Sequence, residues 1–311
     1  DLETKADIVR NAIDLHLGNQ VAALGDLWSF TGGISITSAR ALDLTGALTA
    51  TGGDVVLDAA SISQSGGYIE AAGLRARADG AISLDAANQI AATGTVALAA
   101  GTDIAFRNTG SFVLGMIDTP GAATFTSTNG SIGQAASTRM GAARLSVSAA
   151  NGGIVLDEAN LVDTLGGLAA GSDIVFRNAG DFALDGDIAA VGHEVTLRSN
   201  TGAISQTSGT ITALGLGAVA GGAITLGGAN NVTNLRDVTT GGDFLYRNAG
   251  ALVLWGDVAA AGHEVTLKTD SGSLLQMLFT SGIITANRLN ASAGGALNFN
   301  HANRVNQLGD Y

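Results

Sequence analysis

Asp103-Ile-Ala-Phe-Arg-Asn-Thr-Gly110, Asp173-Ile-Val-Phe-Arg-Asn-Ala-Gly180 and Asp243-Phe-Leu-Tyr-Arg-Asn-Ala-Gly250 are one octapeptide written three times, starting at positions 103, 173 and 243. A second string follows the same beat, Gly192-His-Glu-Val-Thr-Leu197 returning as Gly262-His-Glu-Val-Thr-Leu267. Outward from these, an asparagine in an apolar-flanked turn recurs at Asn19, Asn88, Asn160, Asn230 and Asn303, at intervals of 69, 72, 70 and 73. Self-similarity at a fixed period marks stacked units that share one continuous core. The reading is a single repeat domain over 1–311, with long repeats at 19–87, 88–159, 160–229 and 230–302 and partial ones at 1–18 and 303–311.

Inside each long repeat runs a shorter one, a glycine followed by alternating apolar and polar residues. It stands at Gly33-Ile-Ser-Ile36, Gly80-Ala-Ile-Ser-Leu84, Gly153-Ile-Val-Leu156, Gly222-Ala-Ile-Thr-Leu226 and Gly295-Ala-Leu-Asn-Phe299, among others. Alternation of period two sends successive side chains to opposite faces of a strand. The glycine pairs before these strands are read as corners that need positive φ. No segment combines helical apolar spacing with a cap and a stop. Glu3 to Leu17 imitates a helix, yet Ala12-Ile-Asp-Leu15 aligns with Ala296-Leu-Asn-Phe299 and is read as solenoid.

The expectation is therefore an all-β parallel β-helix (β-solenoid), with about 20–23 residues per coil and a super-repeat of about 70 built as a triplet of coils. Coils stacked at the strand spacing of about 4.8 Å would give roughly fourteen turns and a rod on the order of 65 Å. A sandwich or propeller is the alternative, but four-stranded blades repeat every forty to fifty residues or so. Neither end carries a polar cap, which reads as a fragment of a longer rod or as copies stacking end to end.

Composition limits the function. The net charge is −12 with fifteen scattered Lys and Arg, against the clustered basic residues that nucleic acid or an anionic membrane surface requires. Ser199 to Leu235 holds no charge, but Gly, Thr, Ser and Asn interrupt it too often for a membrane span. Cysteine is absent, which excludes disulfides and cysteine-ligated metals.

Candidate chemistry lies in the repeated residues themselves, and repetition argues against it. Asp103, Asp173 and Asp243 are read as equivalents three coils apart, about 14 Å by strand spacing, too far to share acid and base work. Arg107, Arg177 and Arg247 follow the same logic. His193 with Glu194 and His263 with Glu264 give one pair per long repeat, short of three converging metal ligands. His16 and His301 add none. Gly52-Gly-Asp54 and Gly241-Gly-Asp243 resemble one corner of the calcium-binding β-roll repeat without its second Gly-x-Asp step. The asparagine series is read as turn caps. Trp28, Trp255, Tyr68, Tyr246 and Tyr311 are too scattered for a sugar-binding strip. No catalytic, cofactor-binding or metal residue is assigned, and no enzyme activity is expected.

Gly222-Ala-Ile-Thr-Leu-Gly-Gly-Ala-Asn-Asn-Val232 and Gly202-Ala-Ile-Ser-Gln-Thr-Ser-Gly209 resemble the shaft repeats of filamentous haemagglutinin-like exoproteins, a likeness of repeat style along the whole chain. That resemblance implies a right-handed parallel β-helix exported by two-partner secretion from a Gram-negative bacterium. It implies an adhesin or biofilm shaft at the cell surface, with an outer-membrane transporter as partner and a receptor or glycan that the residues do not name. The Asn-Pro-Asn motifs of that family's secretion domain are not present; the sole proline is Pro120. A self-assembling fibre or matrix protein is the alternative, and a carbohydrate-active β-helix enzyme stands third.

Overall fold

The computed structural model describes residues 12–16, 19–277 and 282–309. Every regular element among them is a β-strand, and every strand pairing is parallel. The chain divides into two compact units, 1–153 and 154–311.

In the first unit, Ile13, Ile34, Val55, Leu74 and Val96 pair in succession, each one coil beyond the last. A second ladder runs Leu42, Ile62, Ile82, Ile104, Ala123, Leu145, and a third begins Leu27, Leu48, Ile69. The second unit repeats the plan. Ile154, Ile174, Val195, Leu216, Leu235 and Leu254 form one ladder; Phe182, Ile204, Ile224, Phe244, Val265 and Leu289 form another. Each unit is thus a parallel β-solenoid, as the short repeat predicts.

The alternation read from sequence decides which side chains go inside. In Ile174–Asn178 the residues Ile174, Phe176 and Asn178 are buried while Val175 and Arg177 are half-exposed. Ladder residues are almost all sealed from water, so each coil contributes several side chains at roughly 1.5–3 kcal/mol apiece. Aromatics repeat too. Phe106 meets Phe112 edge to face at 5.2 Å, and Phe176 meets Phe182 at the same distance. In the third copy Leu252 stands where the others have the second Phe, and Tyr246 instead stacks on Phe244 at 6.3 Å.

Two expectations need correction. The super-repeat is not a triplet of coils. Three coils counted from Phe182 pass through Ile204 and Ile224 and end at Phe244. The octapeptide position that returns at Phe244 is Ile174, which lies further back along the chain than Phe182. The long repeat therefore overshoots three coils, by about a third of a turn. Ile174 and its repeat-equivalent Phe244 lie on different ladders, so Asp173 and Asp243 do not stack at three coils' distance.

The glycine pairs are the second correction. Positive φ occurs at Gly67, Gly192, Gly209, Gly262, Gly272 and Gly282, and not at Gly32-Gly33, Gly52-Gly53, Gly221-Gly222 or Gly241-Gly242. These pairs are glycine because an adjacent coil's backbone passes too close for a Cβ. One on Gly33 would lie 2.5 Å from the Asp54 carbonyl oxygen, and one on Gly53 2.6 Å from the Gly33 nitrogen. Glu3 and its neighbours through Asn11, and Leu17, lie outside the described residues. Ile13–Leu15 is a strand, as the end alignment predicts.

Candidate functional site

The octapeptide is a corner followed by a strand, and its polar residues engage neighbouring backbone and side chains, although the buried Arg177 Nε has no hydrogen-bond partner among the described residues. Its aspartate precedes the strand and accepts the backbone N–H of the next coil. Asp103 takes Ala122 at 2.8 Å, Asp173 takes Glu194 at 3.0 Å and Asp243 takes Glu264 at 2.9 Å. Asp26, Asp181, Asp187 and Asp237 make the same coil-to-coil bond at other corners, and Asp43 makes it from within the strand Leu42–Leu44. Ser111, Ser131 and Ser273 do it with a hydroxyl. A carboxylate accepts without needing a donor in return, and charge shortens the bond. Much of the acidity of this chain is therefore corner chemistry. At Asp43 the bonds from Ser65, with further help from Ser63, hold the carboxyl below its ordinary value.

The octapeptide arginines pair with acids on neighbouring coils. Arg107 reaches Asp85 at 3.1 Å, Arg177 reaches Asp157 at 3.6 Å and Arg247 reaches Asp270 at 2.8 Å. The Arg247 guanidinium lowers the Asp270 carboxyl in turn.

The octapeptide asparagine is the buried member. Asn178 accepts the Val162 N–H at 2.9 Å and donates to the carbonyls of Val162, Gly180 and Asp181. Asn108 does the same around Ile90, and Asn248 around Val232. Each pairs in register with the asparagine of the recurring series one coil earlier: Asn88, Asn160 and Asn230. Asn88 and Asn230 also trade bonds with Gln64 and Gln206, as Asn303 does with Gln276. The series thus bonds backbone as expected, but Asn88, Asn160 and Asn230 do so buried within strands, at register shifts, and not as caps of turns. Burial and the glutamine partners were not legible, because each glutamine stands a full coil or more away in sequence and matches no short motif.

His193 and His263 sit beside Asp173 and Asp243, with Nδ1 at 3.7 Å and 3.8 Å from the same oxygen that caps the next coil. Among the described residues no three His, Asp or Glu side chains converge on a metal-sized space. Asp54 lies 3.8 Å from Arg75, and Asp243 is the corner cap already described. Tyr246 is buried, and its hydroxyl donates to Asn248 at 3.1 Å; burial raises its pKa far beyond the ordinary phenol value. Trp28 and Trp255 are exposed by 37% and 41%, so packing does not account for Trp28 although it lies on a strand. Tyr311 lies outside the described residues.

One cluster departs from the repeat. Glu264 accepts a bond from Asn290 at 2.6 Å, whereas its equivalent Glu194 grips Arg236 through both oxygens, at 2.6 Å and 3.0 Å. The pair spans the intervening coil at Gly215, where a Cβ would collide with the Glu194 carboxylate. Arg236 then lies over the Trp255 ring, 5.0 Å from its centre. The Glu194 hydrogen bond holds the guanidinium charged above its ordinary pKa. Sequence reasoning missed this pair, though a signal existed. Arg236 is the first charge after the uncharged run Ser199 to Leu235, which is the wall passing between the two partners.

Residues 101–169 match the model of a family described as repeats of unknown function (DUF5649), a segment close to one super-repeat that opens at the first octapeptide. No curated protein and no solved structure gives a match.

Proposed function

We propose that this chain is a length of structural shaft from a secreted or cell-surface bacterial filament of the haemagglutinin-like kind, without enzymatic activity of its own. One observation carries the reading: the residues that recur are used up in holding coil to coil. The octapeptide aspartates cap corners, the arginines pair with acids on neighbouring coils, and the asparagines are spent on buried backbone. The parallel solenoid and the match to a repeat family support the coarser statement that this is a structural repeat protein. The repeat style of Gly202 to Val232 supports the finer one, an adhesin or biofilm shaft that an outer-membrane transporter exports.

Electron microscopy of the purified chain, with an assay for turnover of polyuronate glycans, tests the proposal. Discrete particles of one fixed size and no turnover are expected. Turnover that disappears when wall carboxylates are replaced would overturn it, and so would fibres of indefinite length, which would favour a self-assembling matrix protein instead.

A further inference from the structure

Two asparagines in the chain are followed directly by glycine, Asn129-Gly130 and Asn151-Gly152. Both fall within the unit ending at residue 153, at exposed bends one coil apart. The two side chains touch: Asn151 Nδ2 donates to Asn129 Oδ1 at 3.1 Å.

The glycines are imposed by stacking. A Cβ on Gly130 would meet the Ser111 hydroxyl at 2.5 Å, and one on Gly152 would meet the Ser131 nitrogen at 2.5 Å. The wall therefore places, after each exposed asparagine, a backbone nitrogen that no side chain shields. The two sites differ in that nitrogen. Gly152 N–H is held by the Ala149 carbonyl at 3.2 Å. Among the described residues no acceptor holds Gly130 N–H. The Asn129 amide carbonyl is moreover polarised by the hydrogen bond it receives from Asn151.

We propose that Asn129 is a site of spontaneous deamidation, and that the fold selects it over Asn151. The Gly130 nitrogen gives up its proton to solvent base and attacks Asn129 Cγ. The new C–N bond closes a five-membered imide, the Cγ–Nδ2 bond breaks and ammonia leaves with a proton from solvent. Water then opens the ring at either carbonyl, leaving aspartate or isoaspartate. The net change is one water consumed, one ammonia released and one carboxylate gained. That carboxylate still accepts the Asn151 amide, so the corner survives the change as aspartate, and each molecule carries one more negative charge as a record of its age.

The test is incubation of the full chain in warm, mildly alkaline buffer, followed by peptide mapping with mass spectrometry that separates aspartate from isoaspartate. In the folded chain Asn129 is expected to convert about five-fold faster than Asn151, the factor that one backbone hydrogen bond of ordinary strength supplies. In urea the two rates should become nearly equal. Asn129→Gln should remove the fast conversion and leave Asn151 slow. Equal rates in the folded chain, a faster Asn151, or an Asn129 as inert as the buried Asn178 would each overturn the proposal.

Discussion

Asn178 is buried, yet both its amide oxygen and its amide nitrogen are bonded to the backbone of its own and the preceding coil. Its value lies in what its removal would expose. Asn178→Ala leaves the Val162 N–H and carbonyl buried without their partner, a penalty of about 3 kcal/mol or more. Urea unfolding followed by far-ultraviolet circular dichroism should show that loss, and the same loss for Asn248→Ala. Asp43 gives a pH-dependent counterpart. Its folded pKa lies below the unfolded value of 3.8, so its contribution is present above that value and is lost as pH falls through the lower folded one. Acid unfolding of Asp43→Asn should accordingly be less steep than that of the parent below pH 3.8. The octapeptide was legible as a repeat, but the division of labour inside it was not. Whether an asparagine caps a turn at the surface or bonds backbone in the core depends on a partner one coil away, and sequence spacing does not reveal that partner.

At the scale of strand and corner, glycine does two different things. Gly186 has no room for a Cβ, because the Gly166 carbonyl oxygen occupies the place, whereas nothing lies near Gly180. Gly186→Ala should cost about 2 kcal/mol or more by forcing two coils apart. Gly180→Ala should stay within about 0.5 kcal/mol of the parent. Thermal unfolding of the two variants separates these outcomes. The sequence reading located the corners but assigned the glycine pairs to positive φ, because φ is a local property and the real constraint is the neighbouring coil. The Glu194–Arg236–Trp255 cluster belongs to the same scale. Both charged partners are about one-third exposed, so Arg236→Ala should cost only about 1 kcal/mol. The same change should shift the fluorescence of Trp255, since it removes the cation 5.0 Å from the ring centre.

At the scale of the molecule, the long repeat is not a whole number of coils. The period was plain in the sequence, and so was the strand alternation beneath it. Their ratio was not, since corner length varies and only pairing fixes it. Asn230 pairs with Asn248, a short step along the chain, but Val258 pairs with Ile284, a distinctly longer one. The consequence is that octapeptides in the second unit turn from one ladder to the next, so equivalent octapeptide residues do not stack directly above one another. A solenoid built this way repeats its wall without stacking one position of the long repeat on itself. Nitroxide labels test that phase directly, and the absence of native cysteine makes labelling clean. Ala183, Ser205, Thr225 and Leu245 are outward register partners on successive coils. Labels at Ala183→Cys and Leu245→Cys should lie three strand spacings apart, about 14 Å, and broaden each other's spectrum. Labels at Val175→Cys and Leu245→Cys, one long repeat apart and on different ladders, should show no comparable broadening. The reverse result, coupling between 175 and 245 and none between 183 and 245, would mean that the super-repeat is a whole number of coils and would contradict this account.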